Sequence, residues 1–256
     1  MRVLAVIGVT GGAGGTTVTA NLAAGLVAQK RRALCFDFCP DNLLRLHLGL
    51  PWSEAAGLAP SLLAGDSWHG ATFRGVSNVD FVPFGQLSDE AELDNLGSLL
   101  RAKPSWLRSQ LDGLQIDRET VVVCDCPRGH PALREQVLRV ADLVLLVCSP
   151  DPISYAYAVA MLEHAGRSGT APAVVVMNGF DPARRLDRDV AMLLRTGVKT
   201  RFSPVVIHRD EHIRESLACK QTVFEFAPAS QAAYDFGALA TWVMARLGQV
   251  ERSRAA

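Results

Sequence analysis

Two groups of residues have the type and spacing to hold a phosphate and its counter-ion. The first is the stretch Gly8-Val9-Thr10-Gly11-Gly12-Ala13-Gly14-Gly15-Thr16-Thr17, between an apolar run at residues 3–7 and a helical pattern that starts at Thr16. Strand, glycine-rich turn and helix in that order let consecutive backbone N–H groups face one anion. The helix N-terminus adds unpaired donors and the positive end of its dipole. Thr16 falls where the hydroxyl of such a loop reaches Mg²⁺. The second group is Asp37 and Asp125, which close apolar runs at residues 33–38 and 121–124. An aspartate after a short apolar strand is a magnesium-coordinating position, direct or through water.

The loop also breaks the pattern it suggests. A standard phosphate loop reads G-x-x-x-x-G-K-[ST], whereas Val9 stands at the first glycine and Gly15 at the lysine. A glycine-rich turn that binds nothing looks the same locally. Asp125 alone also reads as a surface residue opening the turn before Pro127. Convergence favours a site: in doubly wound sheets ligands lie beyond the carboxyl ends of the strands, and Asp37, Asp125 and Asn178 all stand at such ends.

The elements that would position them alternate. Strands are expected at residues 2–7, 33–38, 79–83, 121–124, 143–148, 173–177 and 205–207. Helices are expected at 16–29, 58–64, on either side of Pro104 within 88–113, after Pro127, at 153–166, 211–218 and 230–247. A leucine-rich passage spans Leu43 to Leu50. Short apolar strands between helices predict a mostly parallel sheet covered on both faces, an α/β fold in one domain over residues 1–250. Residues 251–256 read as a frayed tail.

Composition narrows the function classes. The 256 residues are 49% hydrophobic and 20% charged, with a formal net charge of zero, so no overall basic field points to nucleic acid or acidic lipid. No apolar run reaches the roughly 20 residues of a membrane span, and Met1-Arg2-Val3 enters the first strand at once, leaving no room for a signal peptide. The six cysteines, Cys35, Cys39, Cys124, Cys126, Cys148 and Cys219, read as reduced thiols in apolar runs, which predicts a cytoplasmic protein. Arg184, Arg185 and Arg188 interleave with Asp181, Asp187 and Asp189 as a solvated mixed-charge face. Tyr234, Phe236, Leu239, Trp242 and Val243 read as core packing before membrane anchor.

These motifs together resemble the MinD/ParA family of deviant-Walker P-loop ATPases over essentially the whole chain. Gly11, Gly12, Ala13, Gly14, Thr16 and Thr17 fall on the family's K-G-G-x-G-K-T-T. Asp37-Phe38-Cys39-Pro40 falls on its D-x-D-P switch and Asp125-Cys126-Pro127 on its D-x-P switch. Two further strings, Cys39-Pro40-Asp41-Asn42-Leu43-Leu44-Arg45-Leu46 and Pro83-Phe84-Gly85-Gln86-Leu87, resemble the MinD-like proteins of bacterial cellulose synthesis operons. The resemblance implies ATP and Mg²⁺ as ligands. Thr16 and Asp125 would serve Mg²⁺ with Asp37 in its outer shell. Thr17 and the N–H groups of residues 12–17, Gly15 among them, would hold the phosphates. Asn178 would read the adenine edge, or else merely cap the next turn, with Arg209 and Asp210 close to base and ribose.

The departures fall on catalysis. Thr10 stands at the family's signature lysine, Gly15 at its Walker lysine, and Cys39 at the second switch aspartate, which is associated with hydrolysis. One cationic finger contributes about 10³–10⁵ in phosphoryl-transfer rate. Losing two cations and a carboxylate while keeping the loop and magnesium ligands predicts binding with weak turnover at most. No residue is assigned a catalytic role, although Asp37 is a candidate. Arg45, Arg128, Arg209 and Arg214 are candidates to replace the lost charge. The function expected from the resemblance is an ATP-bound homodimer that helps assemble, regulate or localise the cellulose synthase through other operon subunits at the inner membrane. An ATPase switch that positions cargo and a DNA-partitioning ATPase are the alternatives. Cys39, Gly15 and Thr10 count against the first and the neutral charge against the second.

Overall fold

Alternation of β-branched strands with helices produces the layered arrangement its pattern predicts. The computed structural model describes residues 1–117, 119–168 and 171–255. The strands are β1 (Arg2–Gly8), β2 (Ala33–Asp37), β3 (Phe73–Arg74), β4 (Asp80–Val82), β5 (Val121–Asp125), β6 (Leu143–Cys148), β7 (Ala173–Phe180) and β8 (Ile207–His208). They form one sheet in the order β3-β4-β2-β5-β1-β6-β7-β8. Every neighbouring pair is parallel except β3 with β4. Because β1 pairs β5 on one side and β6 on the other, the loop after β1 opens where the winding reverses, the place such sheets keep for ligands.

Helices cover both faces. Along β1 the side chains alternate: Leu4 and Val6 join one core layer, while Val3, Ala5 and Ile7 join the other, as the two-residue period of a strand requires. The first layer is roofed by α1 (Gly15–Ala28) and a long last helix, Gln231–Ala255. Lying between the sheet and that helix, α1 is buried at every residue from Val18 to Leu26, which explains its run of alanines. Its polar interior residues are satisfied. Asn21 donates to Thr17 O at 3.0 Å and accepts from Val223 N at 2.9 Å.

In chain order the other helices are α2 (Leu44–His47), α3 (Leu58–Ala64), α4 (Glu90–Ala102), α5 (Trp106–Asp112), α6 (Pro131–Val140), α7 (Pro152–Ser168), α8 (Arg185–Val198), α9 (His212–Ala218) and α10 (Val223–Phe226), so the last helix is α11. Helices α4 to α8 supply the second core layer through Leu96, Leu107, Val137, Leu162 and Leu194. Asp89 caps α4, its Oδ1 accepting from Glu92 N at 2.9 Å, and Glu92 Oε2 reaches back one residue further to accept from Ser88 N at 2.7 Å, a variant of the capping box.

Several elements differ from expectation. Strand β7 runs on to Phe180, and β3, α8 and α10 were not anticipated. The charged run at Arg184 to Asp189 is mostly the outer face of α8 and the loop before it, with Arg185 and Asp189 paired at 3.7 Å and Arg184 and Asp181 at 3.2 Å; Asp187 is the exception, buried and accepting from Asp181 N at 2.9 Å. The last helix, expected to close near Leu247, continues to Ala255, and Glu251 within the expected tail pairs with Arg2 at 2.8 Å. Ala256 lies outside the described residues. Phe236, Leu239 and Val243 are buried in the core layer they share with α1, whereas Tyr234 stays exposed.

Candidate functional site

Parallel register brings the acidic residues together. Asp37 ends β2 and Asp125 ends β5, and the two are direct partners across that ladder, so both carboxylates leave the same face at the same edge. Both are buried. Asp37 Oδ1 accepts from Cys39 N at 2.9 Å and Oδ2 from Leu44 N at 3.3 Å, which folds the chain after β2 back over the loop. Asp125 Oδ2 is buried with no hydrogen-bond partner. Burial and then the Asp125 charge push the Asp37 carboxyl well above the usual range. Burial raises Asp125 to about 6, an effect that the Thr16, Cys39 and Thr19 side chains turned towards it partly offset. Two buried carboxylates facing one another favour either a shared proton or a dication.

The glycine stretch wraps the same edge. Gly14 precedes α1 in a left-handed conformation, φ 90°, and no side chain caps the helix, so its first N–H groups are left for a ligand. A Cβ on Gly14 would lie 2.3 Å from Asn178 Nδ2, and one on Gly15 would lie 2.9 Å from the backbone nitrogen of Gly8. Gly15, the position of the family lysine, is therefore pressed against the loop's own backbone. Residues Thr10 to Thr17 line a cavity of about 560 Å³ with Cys39, Pro40, His47, Asp125 and Arg128.

Thr10, at the signature-lysine position, turns to α7: its hydroxyl lies 2.9 Å from Ser154 Oγ. Asn178 donates to Ala13 O at 2.9 Å, bracing the loop from β7. With Arg209, Asp210 and Arg214 it lines a neighbouring cavity of about 480 Å³ that meets the loop at Gly12. Asp210 is committed to structure there, accepting from Ala232 N at 2.9 Å through Oδ2 and from His212 N at 3.0 Å through Oδ1. Burial alone would raise its pKa; these N–H groups and the His212 imidazole hold it below the usual range.

The four candidate arginines separate cleanly. Arg45 is fully buried, donates to the carbonyls of Pro51 and Glu54, and stacks on the Trp52 ring at 5.5 Å; it is not among the residues lining the loop cavity. Arg209 and Arg214 belong to the neighbouring cavity. Arg128 alone among the four faces the loop, its guanidinium 5.9 Å from the Tyr157 ring centroid. Sequence reasoning passed over His47. It is buried 3.4 Å from Thr17 Oγ1, and burial lowers its pKa to about 4. A single histidine in a leucine-rich passage carries no signal of that placement.

Sheet order, loop and carboxylate pair together give the chain the fold of the MinD/ParA-type P-loop proteins. Solved structures share the fold: cell-division ATPase MinD of Pyrococcus furiosus matches with TM-score 0.73 and 24% identity over 95% of this chain and 98% of that one. Cobyrinic acid a,c-diamide synthase of Mycobacterium smegmatis, with bound ATP analogue and magnesium, matches with TM-score 0.75 and 20% identity over 95% and 94%. The chain belongs to the BcsQ family: the family model for cellulose biosynthesis protein BcsQ matches residues 1–244. BcsQ of Escherichia coli K12 is 34% identical over 95% of this chain and 94% of that protein, and BcsQ of Salmonella typhi is 31% identical over the same shares.

Proposed function

We propose that this chain binds ATP with Mg²⁺, hydrolyses it slowly or not at all, and acts as a nucleotide-held homodimer that supports assembly, regulation or localisation of a cellulose synthase complex. The observation that carries the reading is a magnesium-type carboxylate pair beside an open phosphate loop whose two lysine positions are Thr10 and Gly15. The residues fit the ligand: Asp125 Oδ2 is a buried acceptor awaiting a partner, and the first turn of α1 is uncapped.

The N–H groups of residues 12–17 and the Thr17 hydroxyl would hold the phosphates, and Thr16 and Asp125 the metal, with Asp37 outside them. When bound, magnesium supplies charge neutralisation to the phosphates. Asn178, Arg209 and Asp210 would border the base and ribose. With Cys39 at the family's second switch aspartate, the carboxylate associated with orienting an attacking water is replaced by a thiol, so the bound nucleotide persists. The cellulose role comes from the BcsQ relatives, and the partners proposed are other subunits of that system at the inner membrane. No helix of the described residues is long and apolar enough to cross a membrane, so recruitment there would run through protein contacts. Nucleic acid is not an expected ligand.

An active switch that cycles between monomer and dimer is the competing reading, favoured by the intact Asp37 and Asp125. Light scattering on nucleotide-free protein tests both. Mass that doubles with ATP and Mg²⁺ and stays doubled for hours supports the static dimer. Mass that falls back as ADP accumulates supports the switch.

A further inference from the structure

Cys39 changes the chemistry of the carboxylate pair beyond weakening hydrolysis. One ligand atom each from Asp37, Cys39 and Asp125 lies within 4.8 Å of the others. Ligands at 2.0–2.3 Å around a tetrahedral ion are separated by about 3.5 Å, so the three need to close by only about 1 Å. Asp37 and Asp125 are fixed at strand ends, while Cys39 is half-buried on the following loop with its thiol turned towards Asp125. Each Asp37 oxygen accepts one backbone N–H and keeps a lone pair. Asp125 Oδ2 is buried and has no partner. The gap opens into the loop cavity, which leaves a fourth position for water.

We propose that Asp37, Cys39 and Asp125 form a binding site for a thiophilic divalent cation of the Zn²⁺ class. As the Sγ–metal bond forms, the Sγ–H bond breaks and its proton leaves to solvent, with no change of oxidation state. Two buried carboxylates oppose an isolated thiolate and favour a dication. A thiolate selects Zn²⁺ and Co²⁺ over Mg²⁺, which demands an octahedral oxygen shell and dehydrates reluctantly. A carboxylate at position 39 would leave an all-oxygen, hard site; the cysteine makes it mixed. The site stands on these three side chains alone and needs no nucleotide.

Co²⁺ titration of the nucleotide-free full chain tests this directly. The expected result is a near-ultraviolet sulfur-to-cobalt charge-transfer band that saturates at one equivalent and is discharged by Zn²⁺. The band persists in Cys219→Ser, which removes an exposed thiol, and is lost in Cys39→Ser. Zn²⁺ affinity measured against a chromophoric chelator falls about 100-fold or more in Cys39→Ser, since even an outer-shell change costs 10- to 100-fold. Cys39→Asp, a second variant at the same position, loses the band and gains affinity for Mn²⁺. No band in the unmodified chain, or a band that survives Cys39→Ser, overturns the proposal. Neither result depends on whether ATP binds.

Discussion

Gly15 sits so close to Gly8 that any side chain there must displace backbone, and this decides how the missing lysine is to be understood. The position is filled by the loop's own main chain, and restoring the family residue does not restore a clamp. Gly15→Lys is expected to destabilise the fold by about 1–3 kcal/mol, the usual cost of overpacking, read as a lower urea midpoint, and to weaken ATP binding. Among the described arginines and lysines, Arg128 is the one on the cavity wall. A charge-assisted hydrogen bond contributes about 1.5–3 kcal/mol, so Arg128→Ala should weaken ATP by roughly 10- to 100-fold in a calorimetric titration, while Arg45→Lys leaves the ATP affinity unchanged. Unaltered affinity in Arg128→Ala would mean that metal and backbone donors meet the phosphate charge unaided. Buried His47 adds a pH term. Its folded pKa of about 4 lies below the ordinary 6.5, so the unfolded chain binds the proton more readily. Stability from this group is full above about pH 6.5 and is lost as pH falls towards 4, by about 3 kcal/mol at most. His47→Gln should flatten that part of a pH series of urea melts.

At the scale of elements, the segment after β2 ties two distant strings into one surface. Asn42, in a left-handed conformation at φ 51°, donates to Gly85 O at 3.0 Å. The Cys39–Leu46 and Pro83–Leu87 strings that suggested a cellulose-operon protein are thus neighbours that line a common cleft next to the loop cavity, and their joint appearance in the sequence has a packing cause. Asn42→Ala loses this bond and suits the backbone poorly; a loss of about 1–3 kcal/mol in chemical denaturation is expected. Most of this framework was legible because buried parallel strands are continuous apolar runs: residues 58–64 and 143–148 fell on their elements to the residue. Helix α8 was not legible. Its buried residues Asp187, Val190, Ala191, Leu194 and Val198 do fall at helical spacing, but one of them is charged, the exposed Met192 and Leu193 beside them are apolar, and the charged start reads as loop. Strand β3 has two residues and pairs antiparallel, too short for any periodicity. In the site, Asp37 and Asp125 were legible as strand-end carboxylates, but their direct register was not, because strand order is a tertiary property. The same holds for Thr10 meeting Ser154 and for the sorting of the four arginines.

Across the whole molecule, one edge of the sheet collects every group the proposed chemistry needs, and the rest supports it. Phe236 on α11 packs against α1 with no exposure, and since α1 carries Thr16 and Thr17, the roof of the sheet bears on the site. Phe236→Ala should cost about 3–5 kcal/mol and lower ATP affinity as well as the melting temperature. Zero net charge and the mutual pairing of charges around α8 predict no salt-sensitive retention on nonspecific DNA; retention that falls steeply with salt would revive the partitioning reading. A lysine-free loop of this kind should hold ATP without turning it over. Denaturing the purified protein and identifying the released nucleotide by anion-exchange chromatography tests this directly. ATP in near-stoichiometric amount is the predicted result. ADP in its place would mean that turnover survives the loss of both lysines and the switch aspartate, and that the loop does not hold ATP intact.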